Sequence, residues 1–323
     1  SIITNYLQVI YSIYFRRNSK MSKKWDYYGS EKIFYNLIKW NKETQNSNIK
    51  LSYSFEFNKN NNADGYIIED IKSLSYIDQN YILNESVKGK KIYNPIEWSE
   101  NFLSRIPSEI ISAKDLIKIK FPSQVSTFQL RLKRVGDILL SLIFFILFLP
   151  ILLIFGILIH LEDRGPIFYT QKRSGLMNND FSIIKLRTMY TNSEKDGPQW
   201  STSNDKRVTK IGKFLRKYRI DELPQILNVF TGQMSLIGPR PERPEIDKKL
   251  SQEIYNYNLK YLAKPGLSGW AQVNYPYGAS VEDAKMKLSY DLYYIKHYSI
   301  LLDFLIFFKT IKLVFNAEGS IPK

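Results

Sequence analysis

The stretch from Ile138 to Leu161 has no formal charge between Asp137 and Glu162. A run of about 20 apolar residues is long enough to cross a bilayer. Pro150 falls at its centre. A proline inside a helix removes one backbone hydrogen bond and crowds the preceding turn, so a kink is predicted there. Arg131, Lys133 and Arg134 precede the segment, and a strongly basic region follows it. Positive charge tends to stay on the cytoplasmic side. A helix that bends at Pro150 and returns satisfies both flanks; a straight, kinked span satisfies one. The expectation is a membrane segment over 138–161, broken at Pro150 and re-entrant, with the straight span as the alternative.

The formal net charge of +15 over 323 residues points to an anionic partner: nucleic acid, an anionic membrane surface or a phosphorylated substrate. The chain has no cysteine, which excludes disulfides and thiolate zinc sites. Its two histidines, His160 and His297, leave little material for imidazole chemistry. Ile2 to Tyr14 is moderately apolar and ends at Arg16 and Arg17; residues 1–20 read either as the remnant of an N-terminal membrane segment or as a poor signal-like segment, and the start at Ser1 without Met is expected to be processed or truncated.

Residues 21–113 alternate short apolar runs with helical spacing. Strands are predicted at Trp25 to Tyr28, Ile49 to Phe57, Tyr66 to Ile68 and Lys91 to Tyr93. Helices are predicted at Lys32 to Trp40, Ser73 to Leu83 and Ile96 to Leu103. Such alternation suggests a small Rossmann-like α/β domain with a parallel sheet. No Gly-x-Gly-x-x-Gly follows the first strand, so dinucleotide binding has no support, and a regulatory or structural role is expected. Residues 114–130 read as a linker.

Beyond the apolar segment, the regions around Phe168 and Phe181 look like the arms of a hairpin turning at Asn178-Asn-Asp180, with Lys172, Arg173, Lys185 and Arg187 along a basic edge. Glu194 to Asn204 reads as a polar loop. Arg207 to Arg219 is a basic amphipathic helix, suited to anionic lipid or to phosphates. Helices are expected over Ser251 to Tyr261 and Val281 to Tyr298, and a turn and strand over Lys264 to Asn274. Ser299 to Phe315 is apolar but interrupted by Asp303, Lys309 and Lys312, which favours an interfacial helix over a second span.

Asp221 and Glu222 stand side by side just before Leu223-Pro224. Proline is tolerated in the first turn of a helix, so the pair is expected where a loop enters the helix running through Gln225 to Phe230. Free N–H groups and partial positive charge at such an end keep a carboxylate ionised and also suit phosphate. Taken alone, Asp221 reads first as a helix cap.

From Arg131 to Phe315 the chain resembles the bacterial sugar transferases, the monotopic polyprenyl-phosphate phosphoglycosyl transferases. The resemblance rests on motifs in order: Lys133-Arg134…Asp137, the proline-broken segment, Gly165-Pro166, Gln171-x-Arg173-x-Gly175, Lys185-x-Arg187-Thr-Met189, Arg207-Val-Thr209, Phe214-Leu-Arg216, Asp221-Glu-Leu-Pro-Gln225, Asn228-Val229, Met234-Ser235, Gly238-Pro-Arg-Pro241, Lys264-Pro-Gly266, Gly269-Trp-Ala-Gln-Val-Asn274 and Asp291-x-Tyr-Tyr294. Asn274 to Ser280 looks like the long branch associated with exopolysaccharide or exosortase systems.

The resemblance implies an α+β membrane-associated catalytic domain over 131–323, with a re-entrant membrane helix and interfacial helices. It also implies a reaction. Asp221 attacks the β-phosphorus of a nucleoside diphosphate sugar, usually a UDP-sugar, and UMP leaves. Polyprenyl phosphate, such as undecaprenyl phosphate, then takes the phosphosugar. Glu222 helps bind Mg²⁺. Lys185, Arg187, Arg216 and Arg240 supply positive charge, and Asp291 is a second acidic contact. The implied partners are the UDP-sugar, the lipid phosphate and membrane lipid, not nucleic acid; a homo-oligomer is left open. The implied location is the cytoplasmic face of the inner membrane. Many relatives carry Ser or Thr two positions before the nucleophile, where this chain has Arg219. Two other readings compete: a membrane-tethered nucleic-acid or lipid-binding protein using the 207–219 helix, and an inactive scaffold for polysaccharide assembly.

Overall fold

The computed structural model describes residues 23–43, 48–54, 62–112, 115, 127–191, 193, 205–276, 278 and 280–316. The expected N-terminal membrane remnant, most of the linker and the 194–204 loop lie outside the described residues. The chain divides into two compact units, Ser1–Ser112 and Ala113–Lys323.

In the first unit, strands β1 (Lys23–Tyr28), β2 (Ile49–Tyr53), β3 (Gly65–Ile68) and β4 (Lys91–Tyr93) form a parallel sheet of order β2-β1-β3-β4. Alternate residues on a strand face opposite sides. Trp25, Tyr27 and Ile67 accordingly join one core with Phe34, Leu37 and Trp40 of helix α1 (Glu31–Glu43) and Trp98 of helix α3 (Pro95–Leu103). Tyr28, Tyr66 and Ile68 join a second core with Ile82 of helix α2 (Tyr76–Val87). Helix α2 starts and ends about three residues later than the spacing suggested, because Ser75 caps it by accepting the Asp78 N–H. Where β1 and β3 end, the Glu69 carboxylate accepts the Tyr27 hydroxyl at 2.8 Å and the Ser30 N–H at 2.7 Å.

The second unit begins with helix α4 (Thr127–Asp163), 37 residues long with Pro150 inside. Among the described residues it is the one helix long and apolar enough to cross a membrane. Leu139, Ile143, Ile146, Leu147, Leu153 and Ile157 are exposed along it. Both ends are fastened to the same unit. Near the start, Lys133 Nζ donates to Asp303 Oδ2 at 2.7 Å and to the Ile237 carbonyl at 3.1 Å, and Asp137 accepts the Leu236 N–H at 3.1 Å. Arg134 donates to the carbonyls of Val229 and Phe230, each at 2.7 Å, at the end of helix α6 (Ile226–Thr231). Cations suit helix C-termini because the last carbonyls there lack partners. At the far end, Glu162 accepts the Lys210 N–H at 2.9 Å, and Leu152, Phe155 and Ile159 pack around Leu186 and Leu215.

Strands β5 (Phe168–Ser174) and β6 (Asp180–Leu186) form the expected antiparallel hairpin, Phe168 opposite Leu186 and Ser174 opposite Asp180. The basic amphipathic segment becomes helix α5 (Lys210–Lys217), capped by Thr209. A one-residue-pair bridge, Met189 to Val208, ties it to the end of β6. Strands β7 (Ser235–Ile237) and β8 (Gly266–Ser268) pair in parallel. Two expectations need correction. The helix expected over Ser251 to Tyr261 is two pieces, α7 (Pro244–Glu253) and a 3₁₀ turn (Tyr257–Leu262), because Asn256 takes a left-handed conformation between them. The strand expected through Asn274 stops at Ser268, and Trp270–Asn274 is helix α8.

Helices α9 (Val281–Lys296) and α10 (Ile300–Phe315) complete the unit. Leu301, Phe304, Phe308, Ile311 and Phe315 are exposed at helical spacing on α10, while two of its charges turn to the protein, Asp303 to Lys133 and Lys309 over the Trp270 ring at 4.4 Å, and Lys312 is exposed.

Helix α5 lies close against the chain after β6, and Gly212 makes this possible: a Cβ there would overlap the Thr188 carbonyl. Gly212→Ala is expected to destabilise the second unit by about 1–3 kcal/mol, read as a lowered thermal midpoint in detergent.

Candidate active site

Asp221 and Glu222 sit on a 3₁₀ turn (Ile220–Gln225) that leads directly into α6. The turn, rather than an α-helical first turn, follows from Arg219. That residue is left-handed, with φ 57° and ψ 23°, and its carbonyl accepts the Glu222 N–H at 3.2 Å. Pro224 is accommodated because the N–H it lacks falls in a first turn. Asp221 is buried at 8% exposure.

The pair divides sharply in its contacts. Glu222 Oε1 accepts from Lys185 Nζ at 2.7 Å and from Arg240 NH2 at 2.6 Å, and its Oε2 from Arg240 NH1 at 3.3 Å. Lys185 comes from β6 and Arg240 from the Gly238-Pro-Arg-Pro241 loop after β7, so Glu222 ties three separate segments together. Among the described residues the Asp221 carboxylate accepts no hydrogen bond, although Lys185, Arg216 and Arg240 are within electrostatic reach.

Electrostatics separates the two carboxyls further. Burial alone would raise the Glu222 carboxyl, but the charges of Arg240 and Lys185 hold it well below the usual carboxylate range. Burial raises Asp221, partly opposed by Lys185 and reinforced by the Glu222 charge. Burial also lowers Lys185, against the pull of Glu222. A helix N-terminus was expected to keep Asp221 ionised; here burial and its like-charged neighbour work the other way, and the surrounding cations oppose them.

Asn228 fixes the register between strand and turn. Its side chain accepts the Ile184 N–H at 3.2 Å and donates to the Ser182 carbonyl at 2.8 Å, filling the open edge of β6 beside Lys185. Arg216 projects from α5 and donates from Nε to Thr188 Oγ1 at 2.9 Å.

Lys185, Arg216 and Arg240 are therefore brought to the Asp221–Glu222 pair. Arg187 and Asp291 make no direct contact with it. Arg187 is buried and ion-paired to Asp163 at the end of α4, where it anchors the apolar helix. Asp291, on α9, lies in a buried cluster with Lys260, Lys287 and Glu242. Lys260 there donates to the Tyr257 hydroxyl at 2.9 Å, and Tyr257 to Asp247 at 2.8 Å. Arg173 was overlooked as a site residue. It donates to the Pro241 carbonyl at 3.1 Å and to Glu242 at 3.4 Å, so it braces the loop that delivers Arg240. Its place in the Gln171-x-Arg173-x-Gly175 motif was the available signal.

No group of three His, Cys, Asp or Glu side chains able to hold a metal occurs among the described residues. Mg²⁺ does not require one, since it commonly binds through one or two carboxylates and the phosphates of its substrate. Glu222 fits that role: among the described residues its Oε2 is engaged only by Arg240 NH1 at 3.3 Å, which leaves an oxygen to share with a metal that arrives with a phosphorylated ligand.

The chain belongs to the bacterial sugar transferase family, whose profile matches residues 128–317. It is 42% identical over 229 residues to a UDP-N-acetylgalactosamine-undecaprenyl-phosphate N-acetylgalactosaminephosphotransferase of Aeromonas hydrophila, covering 71% of this chain and 53% of the relative. It is 39% identical over 186 residues to an undecaprenyl-phosphate glucose phosphotransferase of Komagataeibacter xylinus, covering 56% and 35%. It is 37% identical over 182 residues to the UDP-glucose:undecaprenyl-phosphate glucose-1-phosphate transferase of Escherichia coli K12, covering 56% and 39%. The chain thus spans about half or less of the length of these curated relatives.

The Asp291 cluster yields a pH prediction. Burial raises Asp291 to about 7, against the lowering pull of Lys260 and Lys287. Between the ordinary aspartate value and about 7 the folded chain then binds a proton that the unfolded chain does not. Stability present at low pH is lost as pH rises through 7. Asp291→Asn should flatten this fall, seen in thermal midpoints measured from pH 5 to 8.

Proposed function

We propose that this protein is a phosphoglycosyl transferase. It moves a phosphosugar from a nucleoside diphosphate sugar, a UDP-sugar, to undecaprenyl phosphate or a related polyprenyl phosphate. The observation that carries this reading is the asymmetry of the adjacent carboxylates: Glu222 is held by two cations, and Asp221 has no hydrogen bond at all among the described residues. A nucleophile needs an unencumbered lone pair.

In the first step an Asp221 carboxylate oxygen forms a bond to the β-phosphorus. The bond from that phosphorus to the bridging oxygen breaks, and the electron pair leaves with UMP. In the second, an oxygen of the polyprenyl phosphate attacks the same phosphorus and returns the carboxylate of Asp221, giving a polyprenyl diphosphosugar. Phosphoryl transfer depends mostly on positioning and on neutralising charge. Lys185, Arg216 and Arg240 do the latter, and Glu222 keeps Lys185 and Arg240 on station. Glu222 would hold Mg²⁺, which would add charge neutralisation at the diphosphate. Such a product suits the first membrane step of exopolysaccharide or glycoconjugate assembly.

The proposed location is argued from α4. A straight helix of 37 residues would be about 55 Å long, yet its first turns and its last turn fasten to one compact unit. This supports a re-entrant segment bent at Pro150, with both flanks on the cytoplasmic face of the inner membrane. The exposed apolar row of α10 would lie in the interface beside it. Soluble donor and lipid acceptor then meet at one dyad.

Asp221→Asn is expected to reduce UMP release from UDP-sugars, assayed with undecaprenyl phosphate and Mg²⁺, by at least about 10³-fold. Retained activity would rule out Asp221 as the nucleophile. In the wild type, kcat/KM should fall on acidification through a pH above the ordinary aspartate range, because the Asp221 carboxyl is raised. The membrane topology is separately testable in this cysteine-free chain. Cysteines at Gln129 and Asn178 should both label from one side of sealed vesicles; labelling from opposite sides would establish a span.

A further inference from the structure

Arg219 stands where the backbone asks for a different residue. Helix α5 ends at Lys217, and the chain must reverse sharply to start the 3₁₀ turn bearing Asp221 and Glu222. It does so through the left-handed conformation of Arg219, whose N–H donates to the Arg216 carbonyl at 3.2 Å and whose own carbonyl accepts the Glu222 N–H at 3.2 Å. Glycine is the usual residue at such a helix exit, since a Cβ makes the left-handed region sterically costly. An arginine kept there points to a use for the side chain.

The surroundings indicate what that use is. The Arg219 side chain is half-buried at the dyad, within electrostatic reach of Glu222, Asp221 and Arg240. Arg219 adds a further guanidinium to Lys185, Arg216 and Arg240 around the two carboxylates. The diphosphate of a nucleoside diphosphate sugar carries one negative charge on each phosphate. A guanidinium pairs with phosphate oxygens through two parallel N–H donors, which a Ser or Thr at this position cannot do.

We propose that Arg219 is a donor-binding residue, whose guanidinium grips the diphosphate of the nucleoside diphosphate sugar beside Arg240 and Lys185 while its left-handed backbone aims the dyad. This assignment rests on the transferase reading above. It separates backbone from side chain at one position. Gly and Asn both accept the left-handed conformation but lack the charge; Lys keeps the charge.

The test compares Arg219→Gly, Arg219→Asn and Arg219→Lys in the full chain, with UDP-N-acetylgalactosamine and UDP-glucose as donors. Gly and Asn should raise the donor KM about tenfold, change kcat less than about threefold, and leave the thermal midpoint within about 3 °C of wild type. Lys should recover part of the KM. A KM within twofold of wild type in both Gly and Asn variants overturns the assignment, as does a fall in kcat with KM unmoved. Calorimetric binding of inorganic pyrophosphate keeps the two readings apart. If the wild type releases UMP from no UDP-sugar, the transferase reading fails, and Arg219 is judged by pyrophosphate alone. Weaker pyrophosphate binding in Arg219→Gly supports the anion-binding role, and equal binding ends it.

Discussion

The ion-pair bridge through Glu222 organises the second unit's chemistry. One carboxylate accepts from Lys185 on β6 and from Arg240 on the loop after β7, and so joins a hairpin, a 3₁₀ turn and a proline-stiffened loop. Buried charges are costly unless paired, so this arrangement is self-enforcing: none of the three segments can drift without stranding a charge. Asp221 is carried on the same turn but left out of the pairing. The outcome is a carboxylate surrounded by positive charge with its lone pairs open, which is what covalent phosphoryl chemistry requires.

The apolar helix is coupled to that site by polar bolts at both ends. Lys133, Arg134 and Asp137 attach its start to β7, α6 and α10, and Glu162 and Asp163 attach its end to α5 and to Arg187. Residues that look in sequence like generic flanking charge are therefore specific contacts. Arg187 shows the point best: it belongs to the same short motif as Lys185, but the alternation of strand and following loop sends it to the helix end rather than to the dyad. One residue of the motif Lys185-x-Arg187 pairs with Glu222 and the other with Asp163 at the end of the apolar helix.

A second polar system, around Lys260, Asp247 and Asp291, lies behind the Arg240 loop and connects to it through Glu242 and Arg173. Asp291 was expected near substrate as an acidic contact. It is buried on α9 within electrostatic reach of Lys260, Lys287 and Glu242. A single aspartate in an Asp-x-Tyr-Tyr pattern gives no hint of these surroundings, because Lys260 and Glu242 lie about 30 and 50 residues earlier.

Much was legible from order and periodicity alone. The uncharged run with Pro150, the basic hairpin, the Asp221-Glu222 pair before Pro224 and the interfacial pattern of α10 are local signals, and local signals depend on spacing along one element. The end of β8 and the break at Asn256 were not legible, because a single left-handed residue or a helix entry overrides propensity. Nor was the unequal pairing of the two carboxylates. Sequence determined which carboxylates and cations the chain possesses and which segments are apolar along one element. Tertiary structure decided that Lys185 and Arg240 converge on Glu222, that Asp221 stays open, and that Arg219 turns the backbone while facing the pair. Those choices depend on distances between segments remote in sequence, which no local pattern encodes.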